Sequence, residues 1–190
     1  MQEKEKMLAG LIYDPADQEL TELRQKAHRL SKEYNDRLET DEERVRLLDE
    51  LLPNKGMNVY LQGPVQFDYG CFTTIGDNSY ANFNFTCLDC CPVKIGSNVF
   101  MGPNVSLLTP VHPLRYQDRN IYERKDGVNT DKEYAKPITI GDNCWIGPIG
   151  TALLPKAVFG LFERFSTFSA VVFNAVLGIY LMKGRFASRV

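Results

Sequence analysis

Two side chains in this sequence titrate near neutral pH in their free form, His28 and His112, its two histidines. His28 lies in a charged stretch with helical spacing and reads as a solvated or half-buried helix residue. His112 stands in Pro-Val-His-Pro-Leu, at the mouth of a long charged segment. An imidazole held there by a rigid scaffold can take the proton from a hydroxyl as its oxygen attacks an acyl carbonyl. A lone loop histidine more often has a purely structural part, so its surroundings must decide. Metal chemistry has a thinner basis. Cys71, Cys87, Cys90, Cys91 and Cys144 are odd in number and irregular in spacing, which argues against a disulfide framework and for a reducing compartment. Cys87 and Cys90 form a C-x-x-C, but no second Cys/His pair completes a structural zinc site, and small buried side chains are the better reading.

The elements that must position His112 announce themselves by period. Ile75-Gly-Asp-Asn-Ser-Tyr is followed six residues on by Ala81 and then Cys87. Ile95-Gly-Ser-Asn-Val-Phe leads to Met101-Gly-Pro-Asn and then Leu107, and Ile140-Gly-Asp-Asn-Cys-Trp leads to Ile146-Gly. An aliphatic or small residue every sixth place, with Gly behind it, is the signature of a hexapeptide coil. Each hexad supplies a short strand whose first residue points inward, and Gly-Asp-Asn or Gly-Pro-Asn turns the corner because those residues tolerate turn angles. Three faces make a coil, and only stacked coils bury the inward ladder. A sandwich or barrel competes, but its turns lack a fixed hexad phase. Residues 109–137, TPVHPLRYQDRNIYERKDGVNTDKEYAKP, break the rhythm and must project from the scaffold, as a functional or merely tolerated loop.

Residues 1–55 are helical in texture. Leu20, Leu23, Ala27, Leu30 and Tyr34 recur at three- and four-residue steps behind Asp17 and Thr21, which can cap or open the helix. A second amphipathic stretch, DEERVRLLDELL, ends at Pro53. Two such helices need a surface to lie against. With 22 basic and 24 acidic residues the net charge is −2, which gives no reason to expect a nucleic-acid or anionic membrane partner. The first ten residues carry no apolar h-region, so a cytoplasmic location is the expectation.

Ordered motifs along the chain resemble the maltose and galactoside O-acetyltransferases, the hexapeptide-repeat sugar acetyltransferases. They are Met7-Leu-Ala-Gly-Leu-Ile-Tyr-Asp-Pro-Ala-Asp, Phe67-Asp-Tyr-Gly, Tyr80-Ala-Asn-Phe-Asn, Leu88-Asp-Cys-Cys-Pro, Gly102-Pro-Asn-Val, His112-Pro-Leu and Lys136-Pro-Ile-Thr-Ile-Gly-Asp-Asn-Cys-Trp-Ile-Gly. The resemblance runs from Met1 to Gly147. It implies a mainly β fold, a left-handed parallel β-helix over residues 56–147 with loop 109–137 protruding. It also implies a helical N-terminal segment beside the acceptor site and a homotrimer with active sites between subunits. Acetyl-CoA is the implied co-substrate, a sugar the acceptor, and no metal is required.

Carried over by position, the resemblance makes His112 the general base and sets Asn82 near the acceptor and the reacting thioester. Asp68, Tyr80 and Arg24 match acceptor-site positions. An early acidic position falls on Asp14 or Asp17, according to where one gap is placed, and Asp17 is carried forward. The next polar position is Asp89 or Cys90, with Asp89 preferred because a carboxylate can hold a sugar hydroxyl or orient the imidazole. Trp145 joins Asn82 as a coenzyme contact. Duller roles stay open: Arg24 as a solvated helix charge, Tyr80 and Asp89 as corner residues.

Residues 148–190 depart from the pattern. No Ile-Gly-Asp-Asn phase recurs there, and Phe165 to Met182 is uncharged but holds Ser, Thr and Asn, a poor membrane span. A shifted reading frame is the preferred account, since codons for Gly150 to Phe159 can be chosen that encode a resumed hexad in another frame. The family's coenzyme-gripping coils would then be missing. The runner-up is therefore a non-catalytic trimeric β-helix protein or an inactive frameshifted product. A zinc carbonic anhydrase on the same scaffold would need three histidines where the coil region has one.

Overall fold

A computed structural model describes residues 1–147; the tail from 148 onward, with the expectations attached to it, lies outside the described residues. The hexads form a three-sided coil of parallel strands. One face stacks β1 (Asn54–Lys55), β4 (Thr73–Ile75), β7 (Val93–Ile95) and β14 (Ile138–Ile140). The second stacks β2 (Tyr60–Leu61), β5 (Tyr80–Ala81), β8 (Phe100–Met101) and β15 (Trp145–Ile146). The third stacks β3 (Val65–Phe67), β6 (Phe85–Leu88) and β9 (Ser106–Leu108).

Register places like over like. Ile75, Ile95 and Ile140 form one inward column, Leu61, Ala81, Met101 and Ile146 a second, and Phe67, Cys87 and Leu107 a third. Strand alternation turns a second residue inward two places earlier, as with Val65, Phe85 and Val93, all buried. Each large apolar side chain so buried contributes about 1.5–3 kcal/mol relative to exposure.

The corners divide their labour in a way that the hexad reading does not anticipate. Positive backbone φ falls on asparagine, at Asn58, Asn78, Asn98 and Asn143 on one corner and Asn84 and Asn104 on the next. Their side chains ladder from coil to coil, Asn58 donating to Asn78 and Asn84 to Asn104, each at 3.0 Å. The preceding glycine answers to space instead of φ. A Cβ on Gly76 would lie 2.5 Å from the Ser97 backbone nitrogen, and one on Gly96 would lie 2.6 Å from that of Asp142.

A second departure is the length of a coil. Paired residues stand 20 apart, Asn54 opposite Thr74 and Thr74 opposite Lys94, where three hexads would give 18. The extra two residues always enter after the third face: Phe67 to Ile75 and Cys87 to Ile95 are steps of eight. In the next coil the same corner, from Leu107 to Ile140, releases the whole protruding loop. That loop contains β10 (Pro110–Val111), α4 (Tyr116–Arg119), β11 (Tyr122–Glu123), β12 (Asn129–Thr130) and β13 (Tyr134–Ala135), with β10 antiparallel to β13 and β11 to β12.

Helices close the first coil. α1 spans Glu3–Leu8, α2 Gln18–Asn35 and α3 Glu43–Leu51. Leu30 and Tyr34 of α2 and Leu47 and Leu51 of α3 belong to the same core as Val59, Leu61 and Val65. Among the described residues no strand pairs with the outer side of the first coil, so its backbone groups need other partners. The Tyr34 hydroxyl and Arg44 donate to the Leu61 carbonyl, and Asn35 both donates to the Val65 carbonyl and accepts from its N–H at 2.8 Å. Among the described residues no helix is long and apolar enough to cross a membrane.

Gly76→Ala must force coils apart against backbone, not against a yielding side chain. It is expected to cost about 1–3 kcal/mol in urea unfolding, the usual penalty of overpacking. An unchanged midpoint would contradict the close approach.

Candidate active site at the third corner

The loop leaves and returns through a short antiparallel ladder, Pro110 opposite Ala135 and Val111 opposite Tyr134. Continued one step, that register sets His112 opposite Glu133. The base of the loop is pinned to the scaffold, with Lys136 N–H donating to Thr109 carbonyl and the Thr109 hydroxyl donating to Leu88 carbonyl.

His112 has a carboxylate at each ring nitrogen. Nδ1 lies 3.2 Å from Asp131 Oδ2 and Nε2 lies 3.4 Å from Glu133 Oε1, and the histidine side chain is 47 % exposed. Burial raises the Glu133 carboxyl above its ordinary range, opposed by a hydrogen bond from Tyr13 and by the nearby imidazole. A half-exposed imidazole with an oriented carboxylate at one ring nitrogen can accept a proton at the other and have the resulting charge stabilised.

The N-terminal segment between α1 and α2 runs along this loop as a strap. Tyr13 and Glu133 exchange backbone hydrogen bonds, and the Tyr13 hydroxyl donates to Glu133 Oε2. Asp14 then accepts from Thr130 Oγ1 at 2.5 Å and from Arg124 at 2.6 Å. Gly10 opens the strap at φ +70, where a Cβ would lie 2.9 Å from the Ala135 carbonyl oxygen.

Other expected site residues gather at the same corner. Arg24 donates to Tyr69 Oη at 3.1 Å and to the Pro15 carbonyl, so it is tied to the strap instead of being solvated. Asp68 faces His28 Nε2 at 3.6 Å and accepts from Cys90 Sγ at 3.5 Å, which brings His28 into the cluster against expectation. Asp17 and Asp89 are placed differently. Asp17 caps α2, accepting from Leu20 N–H, and it is Asp14 that reaches the loop.

Asp89, expected at a sugar hydroxyl, is fully buried and already satisfied by Tyr69 N–H at 2.8 Å, Gly70 N–H at 3.1 Å and Thr73 Oγ1 at 2.9 Å. It braces the two-residue excess of the corner below. Burial pushes its carboxyl up and those donors push it back.

Tyr80, Asn82 and Trp145 lie elsewhere. Tyr80 stands in an outward aromatic column on the second face, 6.0 Å from Tyr60 and 6.3 Å from Phe100, and Trp145 continues that column opposite Phe100. Asn82 follows β5 at the corner between the second and third faces, where its Oδ1 accepts from Phe83 N–H. Among the described residues its amide N–H groups have no partner. His112 belongs to the next corner, after the third face.

Sequence reading missed Tyr13, Asp131 and Glu133. The available signal was the loop's own symmetry, since Pro-Val-His on the way out must be answered by Glu-Tyr-Ala on the way back. Cys87 and Cys90 are buried free thiols. Among the described residues no group of three His, Cys, Asp or Glu side chains is arranged to hold a metal ion.

Comparison with known proteins gives concordant results. The family profile described as the maltose acetyltransferase hexapeptide capping motif matches residues 6–56. A Dictyostelium discoideum protein carrying an inferred acetyltransferase name is 40% identical over 155 residues, 82% of this chain and 76% of that one. The crystal structure of a maltose O-acetyltransferase from Clostridium difficile 630 superposes with a TM-score of 0.69 at 36% identity, covering 77% of this chain and 74% of its own. A galactoside acetyltransferase in complex with coenzyme A gives 0.67 at 35% identity, covering 78% and 73%.

Asp14 is the hinge of the strap's grip. Burial alone would raise its carboxyl, but the Thr130 hydroxyl and Arg124 hold it below its ordinary 3.8. Such a group contributes stability above its unfolded value, and the contribution is lost as pH falls through the lower folded one. The strap is therefore expected to loosen in acid below about pH 3.8, the unfolded value from which the folded one is depressed. Asp14→Asn should do the same at neutral pH, speeding amide exchange at Tyr13 and Glu133 by about tenfold while β4 and β7 keep their protection. Unchanged exchange at Tyr13 would remove Asp14 from that role.

Proposed function

Because this chain belongs to the maltose and galactoside O-acetyltransferase family of hexapeptide-repeat enzymes, we propose that it moves the acetyl group of acetyl-CoA onto a sugar hydroxyl, with His112 as general base. The observation that carries this reading is His112 itself, the histidine of the coil region, half exposed with one carboxylate at each ring nitrogen.

In this reading Glu133 takes the imidazole N–H, since Tyr13 fixes it and it is the more buried of the two acids. The acceptor hydroxyl enters on the Asp131 side, takes that carboxylate's place at Nδ1 and gives its proton to that nitrogen. Its oxygen adds to the thioester carbonyl, and the tetrahedral intermediate collapses to the O-acetyl ester. The departing thiolate recovers the proton from the imidazolium, so no base is consumed. Glu133 stabilises the charge that the ring carries in between.

The separation of the site residues supports a shared site. His112 and Asn82 belong to different corners of the coil, and in this reading a second copy of the chain brings them together. A homotrimer of left-handed coils, each presenting its third corner to a neighbour's second, meets that need. Asn82 would then offer its free amide N–H to the thioester oxygen, and Trp145 and Tyr80 a flat apolar surface to coenzyme and sugar. Arg24, Asp68 and Asp14 border the acceptor on the His112 side. The five free cysteines suit a reducing cytoplasm.

The test is coenzyme A release from acetyl-CoA over a panel of hexoses and their glycosides. At least one sugar is expected to drive release, and His112→Ala to lower it by about 10²–10⁴-fold. Mixing His112→Ala with Asn82→Ala subunits should restore about a quarter of the parent rate, because random assembly leaves that share of interfaces intact. Absence of sugar-dependent release, or full activity in His112→Ala, overturns the reading; lack of restoration overturns the shared site.

A further inference from the structure

Tyr13 is 2 % exposed, and its hydroxyl is committed to Glu133 Oε2, the carboxylate whose other oxygen faces His112 Nε2 at 3.4 Å. The tie is doubled in the backbone. Tyr13 N–H donates to the Glu133 carbonyl at 2.9 Å and Glu133 N–H to the Tyr13 carbonyl at 3.4 Å. Asp14 next to it is clamped to Arg124 and Thr130, so the phenol has little freedom to leave.

Another polar neighbour of that hydroxyl is the buried Cys90 thiol, which itself donates to Asp68. Burial keeps both the phenol and the thiol protonated, so the phenol acts as a donor and Glu133 as the acceptor.

We propose that Tyr13 is a positioning residue for the proposed base: it locks the Glu133 carboxylate so that His112 is held in one orientation and one neutral tautomer. A carboxylate with two acceptor oxygens can swing to serve either ring nitrogen unless something fixes it. Asp131 competes for the half-exposed imidazole from the other side at 3.2 Å. The buried phenol decides. The N-terminal strap thereby sets the protonation geometry of a residue about a hundred places away in sequence.

The inference rests on the reading of His112 as the base, and its test separates the two. Imidazole ¹⁵N spectra of the whole chain, assigned by loss of one signal set in His112→Ala, report the tautomer directly and need no turnover. The parent is expected to show one dominant neutral tautomer for His112. Tyr13→Phe keeps the ring and its packing but should give a mixture; Glu133→Gln should perturb the same signals with the strap intact. The double variant should resemble Glu133→Gln alone, since the hydroxyl acts only through that carboxylate.

In turnover, Tyr13→Phe is expected to lower kcat by about 10-fold to 100-fold with KM little changed, the scale of a misplaced reacting group. His112 signals unaltered in Tyr13→Phe, or altered additively in the double variant, would overturn the proposal whatever the activity assays give. An active His112→Ala enzyme would instead remove the base reading and leave the tautomer result standing.

Discussion

The described fold depends on one spacing, the distance between successive coils. Parallel strands pair at about 4.8 Å, and a coil can repeat at that pitch only if its corners stack as closely as its faces. The corner glycines meet that demand, with the backbone of the next coil where their Cβ would be. The asparagines beside them take the left-handed turn and ladder their amides. Given tight corners, the inward columns of Ile, Leu, Met and Phe follow, and the strands satisfy one another without side-chain help.

Two places escape this economy, and chemistry collects at one of them. Among the described residues no coil lies outside the first, and Tyr34, Asn35 and Arg44 supply the hydrogen bonds that a strand would have made. The third corner carries two residues too many in each of two coils and a whole loop in the next. Its excess is braced by Asp89, held under the strap, and crowned by His112 with its two acids. A corner relieved of tight stacking is free to hold polar groups, and the rigid faces beside it keep them in place. Asn82 lies one corner back, between the second and third faces.

The coil was legible in the sequence because its constraint repeats: Ile-Gly-Asp-Asn recurs in phase, and the inward residues fall where the hexads put them. The helices were legible from three- and four-residue spacing, and Asp17 as a cap from its type. The eight-residue steps from Phe67 to Ile75 and from Cys87 to Ile95 were not read, because attention to the sixes passes over a shift that occurs once per coil. With that shift unseen, Asp89 reads as an acceptor-site carboxylate when it is a buried brace of the corner.

His112 could be singled out by rarity, but its partners could not. Asp131 and Glu133 are two acids among many in a charged loop, and Tyr13 is far off in sequence. Only the antiparallel register of Val111 with Tyr134, and the bridge from Tyr13 to Glu133, bring them together.

The most direct measurement is a crystal structure of the chain with coenzyme A and an accepted sugar. The account predicts the coenzyme sulfur in a cleft between two copies, within hydrogen-bond reach of His112 from one and Asn82 from its neighbour, with Glu133 on the far side of the imidazole. A His112 turned away from any inter-chain cleft, or a coenzyme bound beside some other face, would contradict it.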